Sequence, residues 1–241
     1  MPPWERISNG PFRWFRMEVD VLTSPRKGYD ALVLVDVFRS NTTIALTLEE
    51  GAKYILPCRT LEEALDAKRK LLKAGEDVVL AGERMGVKPD GFDVNISPPI
   101  PAKGKVVVYT STNLVRQLFR IPSPPEVIIG ALVNSRAVSD YVKRMGFERV
   151  GIVACGEWGQ LSVEDFAGAG AIVKKLGGRL TDSAMLALLT YENDRWRDYV
   201  KLSSSYKLLE SLGFARDLSI CMMEDVSDTV PVLREGRLVR A

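Results

Sequence analysis

Short, wholly apolar segments that recur along the chain constrain its fold more than any other feature. Ala31–Val35 reads Ala-Leu-Val-Leu-Val, with no polar position, which fits a strand buried on both faces rather than one with a solvent side. Residues 54–57, 78–81, 105–109, 127–129 and 150–154 repeat the theme, and residues 17–22 form a strand ended by Ser24-Pro25. Helical patterns lie between them. Residues 44–50 look helical and stop at Gly51. Thr60 and Glu63 form a capping-box pair ahead of Leu61, Ala64, Leu65, Leu71 and Leu72 at helical spacing. Asn113 precedes another helix, Asn134-Ser135 caps one that reaches Met145, and Ser162-Val163-Glu164-Asp165 opens a further one. Strands that alternate with helices in this way predict an α/β fold with a largely parallel sheet. The last third is less regular: residues 184–189 and 206–212 read as helices, the second closed by Gly213, and strands at 230–233 and 238–239 read as a hairpin. That hairpin makes the sheet mixed.

Composition then narrows the chemistry. The 241-residue chain has no histidine. This excludes Ser-His-Asp and Cys-His nucleophile systems, a phosphohistidine intermediate and His-ligated zinc. Catalysis must use carboxylates, Lys, Arg, hydroxyls, thiols, backbone amides or an oxygen-ligated metal. Cys58, Cys155 and Cys221 are few and far apart, as expected in a reducing cytoplasm rather than in a disulfide framework. No apolar run reaches membrane-spanning length and no secretory leader pattern opens the chain, so a cytoplasmic location is expected. Lys and Arg number 33 against 31 Asp and Glu, a net charge of +2 that gives no reason to expect nucleic acid or an anionic membrane as partner. The length suits one large domain or two small lobes around one core. Residues 1–16, with Trp4, Phe12, Trp14 and Phe15, read as an N-terminal arm on a domain spanning 17–241, and Pro89, Pro98, Pro99 and Pro101 mark an extended loop between lobes or layers.

In open α/β sheets ligands bind outside the carboxyl ends of the strands. Five predicted strand ends carry reactive or ligating residues: Asp36 with Arg39, Glu83 with Arg84, Thr110 through Asn113, Asn134, and Cys155 with Glu157. Their recurrence predicts a shared rim. Ser40-Asn41-Thr42-Thr43 and Ser111-Thr112-Asn113 are hydroxyl-rich first turns of helices; with Arg39 and Arg84 nearby they favour anion binding over simple capping. Asp36, Glu83, Asp93, Glu157, Glu164 and Asp165 all fall at or just past element ends. Several carboxylates without histidine suit a hard cation, Mg²⁺ above all. Glu164 and Asp165, in a first helical turn, also read simply as complements of the helix dipole. No GxxxxGK[ST] loop is present, and no cysteine has an arginine six positions on. The Asp225-Val-Ser-Asp228-Thr229 segment misses a double-aspartate phosphatase signature by one spacing.

Taken in order, a series of blocks resembles the 2-phosphosulfolactate phosphatase (ComB-like) family. They are Val35-Asp-Val-Phe-Arg-Ser-Asn-Thr-Thr43, Leu80-Ala-Gly-Glu-Arg-Met-Gly86, Gly91-Phe-Asp-Val-Asn-Ile-Ser-Pro98, Tyr109-Thr-Ser-Thr-Asn113, Gly130-Ala-Leu-Val-Asn134, Cys155-Gly-Glu157 with Ser162-Val-Glu-Asp165, and Leu212-Gly-Phe214 followed by Val230-Pro-Val232. The resemblance implies a three-layer α/β/α fold and Mg²⁺-dependent hydrolysis of a phosphate ester on a small sulfonated acid, a step toward coenzyme M. In that picture Asp36 and Glu83, with Asp93, hold the metal, while Arg39 and Arg84 bind phosphoryl oxygens. Asn41, Thr42, Thr43, Ser97, Ser111, Thr112, Asn113 and Glu157 contact substrate, and Glu164 or Asp165 serves as acid–base group. The nucleophile stays open between a cation-activated water and Asp36, and a homodimer stays open as the assembly. Departures from the family pattern occur at Met85, where a glycine is expected, at Asn95 and Ile96, and at Leu114 and Val115, where a glycine and a hydroxyl are replaced. Bulk at these positions is expected to narrow or reshape the pocket, so the substrate can have drifted. The rival expectation is a non-catalytic sensor for a small phosphorylated or sulfonated acid. A nucleic-acid module would rest only on the aromatic and basic N-terminus.

Overall fold

The computed structural model describes residues 17–121 and 126–241; the arm expected over residues 1–16 lies outside the described residues. The elements run β1 (Glu18–Leu22), β2 (Ala31–Val35), α1 (Ser40–Glu49), β3 (Tyr54–Pro57), α2 (Leu61–Lys73), β4 (Val78–Gly82), β5 (Val106–Thr110), α3 (Leu114–Leu118) and β6 (Glu126–Gly130). After a 3₁₀ turn at Leu132–Asn134 follow α4 (Ser135–Met145), β7 (Arg149–Ala154), α5 (Val163–Leu176), β8 (Arg179–Leu180), α6 (Asp182–Glu192), α7 (Trp196–Leu202), α8 (Ser204–Ser211), α9 (Ala215–Cys221), β9 (Pro231–Arg234) and β10 (Arg237–Arg240).

The ten strands of the described residues join one mixed sheet in the order β4-β5-β3-β10-β9-β6-β2-β7-β1-β8. Strands β3, β4 and β5 form one parallel block. Strands β6, β2, β7, β1 and β8 form a second. The C-terminal hairpin joins the blocks: β10 pairs antiparallel with β3 through Leu238 and Ile55, and β9 pairs antiparallel with β6 through Val232 and Ile128. The expected hairpin is therefore present, but it lies in the middle of the sheet rather than at an edge.

Helices cover both faces, which gives the three-layer α/β/α architecture. Central strand β2 shows why the apolar runs are continuous. Its residues 31, 33 and 35 enter a core shared with α4, α5 and α6, whereas Leu32 and Leu34 enter a second core with Ile44 and Leu48 of α1 and Leu114 and Leu118 of α3. Helix α2 packs a third cluster around Ala64, Leu80 and Val108. Its start matches the sequence signal: the Thr60 hydroxyl accepts from the Glu63 amide, and the Glu63 carboxylate reaches back to the Arg59 amide.

The short helices α7 and α9 and the two-residue strand β8 carry too few residues to show a period. Tertiary burial of Trp196 and Val200, and of Leu218 and Cys221, holds the two helices in place. Helix α1 begins four residues before the expected start, at Ser40, because its polar first turn is buried and bonded inside the fold. Among the described residues no helix is long and apolar enough to cross a membrane.

Leu238 is fully buried at the seam between the parallel blocks. Leu238→Ala is expected to lower the unfolding free energy by about 2–5 kcal/mol, read as a reduced urea midpoint. Val239→Ala, on the half-buried neighbouring position, is expected to cost clearly less.

Candidate active site

Carboxyl ends from both parallel blocks open into one cleft. It is lined by Asp36, Arg39, Glu83, Thr112, Asn113, Glu157, Glu164 and Asp165, with Met85, Ile96 and Trp158 among the apolar wall residues. Asp36 follows β2, the seventh strand in sheet order, and Glu83 follows β4, the first. Sheet twist alone does not hold two such distant ends together; the loop between β5 and α3 does. Its Thr112 amide donates to Glu83 Oε1 at 2.7 Å, and its Leu114 amide donates to Asp36 Oδ2 at 3.1 Å. Glu83 Oε2 accepts a further bond from the Gly86 amide at 2.9 Å.

Asp165, in the first turn of α5, acts as a second clamp. Its Oδ1 accepts from the Val37 amide at 2.7 Å and its Oδ2 from the Gly156 amide at 2.9 Å, which ties the loop after β2 to the loop after β7. Gly156 has φ +63°, and a Cβ there would fall 2.0 Å from the Gln160 carbonyl oxygen, so only glycine fits this turn. Glu164 accepts from the Ser205 hydroxyl of α8 through Oε1, while its Oε2 is buried without a partner. Asp36, Glu83, Glu164 and Asp165 are each at least nine-tenths buried, so the dipole-complement reading of Glu164 and Asp165 gives way to a place in the cleft.

The cleft gathers buried carboxyl groups, and the surroundings of Asp36, Glu164 and Asp165 oppose their ionisation. Burial, followed by the charges of Asp165 and Glu83, raises the Asp36 carboxyl well above its ordinary range. Burial also raises Glu164, partly offset by the Ser205 hydroxyl. Asp165 is pushed up to about 7 by burial and the charge of Glu164, against the pull of its two backbone amides. Among the described residues, Arg39 is the one basic side chain in the lining, and its charge is already matched. Its Nη1 donates to Asp217 of α9 at 2.7 Å and to Ser97 at 3.4 Å; its Nη2 donates to Asn95 at 2.9 Å and to the Gly86 carbonyl at 3.1 Å. The Phe214 ring lies 4.0 Å from the guanidinium carbon. Arg39 thus organises the wall and has little left for a phosphoryl group.

Other expected site residues stand elsewhere. Asn41 donates to the carbonyls of Leu34 and Gly130, Thr42 to that of Val37 and Thr43 to that of Ile96; all three anchor α1 inside the fold, away from the cleft. Ser97 does not line the cleft. Asp93 pairs with Lys68 at 2.6 Å and accepts from the Leu80 amide, which removes it from the expected metal set. Asn134 ties the end of β6 to Thr229 and stands off the expected rim. Arg84 and Ser111 line a neighbouring basin, which meets the cleft at Thr112 and Trp158. Of the bulky departures, Met85 and Ile96 face the cleft, Val115 lines the basin and Leu114 is buried in the core. Met85 has φ +51°, in the left-handed region, where the family's glycine would be unstrained. Asp217, Asn95 and Ser205 were not legible as site residues, since each acquires its role from a partner distant in sequence. Cys155 is buried, with its thiol held well above the ordinary range by burial and by Asp36, consistent with a packing residue.

The donor set can be tested for a metal. Among the described residues no three Cys, Asp or Glu side chains converge as a ready-made cage. Mg²⁺ characteristically takes one or two carboxylates and completes its shell with water and phosphate oxygens. Asp36 Oδ2 and both Glu83 oxygens are oriented by amides, Glu164 Oε2 has no partner, and among the described residues none of these three carboxylates is in a salt bridge, although the charge of Arg84 acts on Glu83. These residues fit a hydrated hard cation rather than a protein-enclosed one.

Fold and cleft define a three-layer α/β protein with a carboxylate-rich site at the strand ends. The family model described as 2-phosphosulpholactate phosphatase matches residues 19–236, and the chain belongs to that family. It is 37% identical over 235 residues to a protein of Carboxydothermus hydrogenoformans, covering 92% of this chain and 97% of the relative. Relatives from Thermotoga petrophila and Thermotoga maritima are 39% and 38% identical, each covering 90% of this chain and 96% of their own length. All three bear the name "Probable 2-phosphosulfolactate phosphatase".

Raised carboxyl pKa values mean that the folded protein holds more protons than the unfolded chain between the ordinary carboxylate range and about 7. Stability of EDTA-treated protein is therefore expected to rise as pH is lowered from about 8 to about 5.5, with Asp165→Asn flattening the trend in thermal melts. The Arg39–Asp217 pair gives a separate expectation: Asp217→Asn leaves a buried guanidinium under-compensated and should cost about 3–5 kcal/mol in denaturant unfolding.

Proposed function

We propose that this chain hydrolyses a small phosphate monoester with Mg²⁺, most closely 2-phosphosulfolactate, giving sulfolactate and inorganic phosphate in a step of the coenzyme M type. One observation carries the reading: among the described residues the cleft gathers buried carboxylates with no free side-chain cation, so a phosphate dianion would be repelled unless a metal accompanied it. The family membership and the relatives' names support the same chemistry. Asp36 and Glu83 would hold the metal, which when bound supplies charge neutralisation and polarises a phosphoryl oxygen.

The chain's own groups account for the rest. The Thr112 and Leu114 amides fix both carboxylates before substrate arrives, so no reorganisation is required during the reaction. Water is the nucleophile in this reading, because Asp36 is committed as a ligand. The P–O bond to the ester oxygen breaks as water adds to phosphorus. Glu164, whose carboxyl burial pushes above its ordinary range, would give a proton to the departing alkoxide and recover one from the attacking water. Asp165 holds the Val37 and Gly156 amides and so positions the walls. Three buried free thiols fit a reducing cytoplasm.

Met85 favours one rival. It stands exposed at the cleft where the family pattern has glycine, and a narrowed entrance would suit a sensor that binds without turnover. Assay of purified protein on several phosphate monoesters, with and without EDTA, separates the readings. Hydrolysis should require the metal, and Asp36→Asn should lower the rate roughly a thousandfold with the near-ultraviolet dichroism unchanged. Metal-independent turnover would overturn the metal site; tight calorimetric binding of 2-phosphosulfolactate without any hydrolysis would identify the sensor.

A further inference from the structure

Next to the acidic cleft lies a basin of opposite charge. Arg59, Arg84, Arg116 and Arg120 line it with Ser111 and Phe119, and among the described residues no carboxylate shares the lining. Among the described residues none of the four arginines makes a salt bridge, whereas Arg26, Arg39, Arg136, Arg179, Arg197 and Arg234 all do. Exposed arginines such as Arg59 and Arg120 could be satisfied by water alone. Two observations point past that explanation. Arg116 has Nε and Nη2 buried without a hydrogen-bond partner, and the Ser111 hydroxyl, only 4% exposed, is likewise unpartnered. Arg84 is held as a fixed wall, donating to the Glu83 carbonyl and the Thr110 hydroxyl, and Arg59 lies over the Phe119 ring at 4.7 Å. The basin therefore offers positive charge and unused donors whose geometry is partly set in advance.

We propose that this basin binds the acid group at the non-phosphoryl end of the substrate, a sulfonate or carboxylate, while the phosphoryl group sits in the acidic cleft. The substrate would then lie across the wall of Thr112 and Trp158 common to the two pockets. This assignment rests on the reading of the cleft as a phosphatase site. It makes Arg116 and Arg120 specificity residues, selecting esters that carry a second anion.

The test uses sulfolactate, which lacks the phosphoryl group, titrated calorimetrically in EDTA into wild type, Arg116→Ala and the exposed Arg120→Ala. Affinity is expected to fall roughly ten- to a hundredfold in each variant, the size of one charge-assisted hydrogen bond. In the hydrolysis assay the same variants should raise KM for 2-phosphosulfolactate while leaving KM for p-nitrophenyl phosphate, which has no second acid group, unchanged. Failure of sulfolactate to bind wild type, or binding by both variants as tight as by wild type, overturns the proposal. If no phosphate ester is hydrolysed yet sulfolactate binding still depends on Arg116, the phosphatase reading falls and the anion site stands.

Discussion

Buried carboxylates accepting from backbone amides of other loops hold this site together. Asp36 and Glu83 belong to opposite parallel blocks, and the Thr112–Leu114 backbone spans them. Asp165 does the same for the loops after β2 and β7. Such charge-assisted bonds are strong, but each also obliges a carboxylate to stay out of bulk water beside others of its kind. The elevated pKa values of Asp36, Glu164 and Asp165 record that opposition. The cleft is therefore a place of stored electrostatic cost, relieved by a proton or by a bound cation.

The rest of the architecture serves to keep that arrangement rigid. The C-terminal hairpin welds the two parallel blocks into one sheet, and the Thr112–Leu114 backbone then holds their carboxyl ends at one cleft. Arg39 and Asp217 neutralise each other inside the wall, and Asn95, Ser97 and Gly86 take up the other Nη1 and Nη2 donors. Charge that could have drawn an anion into the cleft is thus used structurally, and unpaired arginines gather instead in the adjoining basin. Negative and positive compartments side by side suit a ligand that combines a metal-bound phosphate with a second acid group.

Strand positions were legible because each apolar run is short, continuous and ended by a polar residue, so burial on both faces leaves an unmistakable trace, as at Ala31–Val35. The acidic members of the cleft were legible for a related reason: a strand buried on both faces seldom ends in a carboxylate without use for it, and Asp36 and Glu83 both do. The polar first turn of α1 misled in the opposite direction. Asn41, Thr42 and Thr43 have the composition of an anion loop, but their side chains bond to carbonyls of the neighbouring core, which no local pattern encodes. Arg59, Arg116 and Arg120 gave no signal at all, since separately each is an ordinary surface-type residue; only their convergence with Ser111 makes a basin.

By itself the amino-acid sequence determined the α/β class, the exclusion of histidine chemistry, the strand ends that carry carboxylates and the family pattern that orders them. These are properties of local period and residue type. Tertiary structure alone decided which charges cancel and which remain open. Arg39 meets Asp217 across a sequence separation of 178, and Asp93 is claimed by Lys68. Electrostatic energy depends on distance in space, and that distance exists only once the chain has folded.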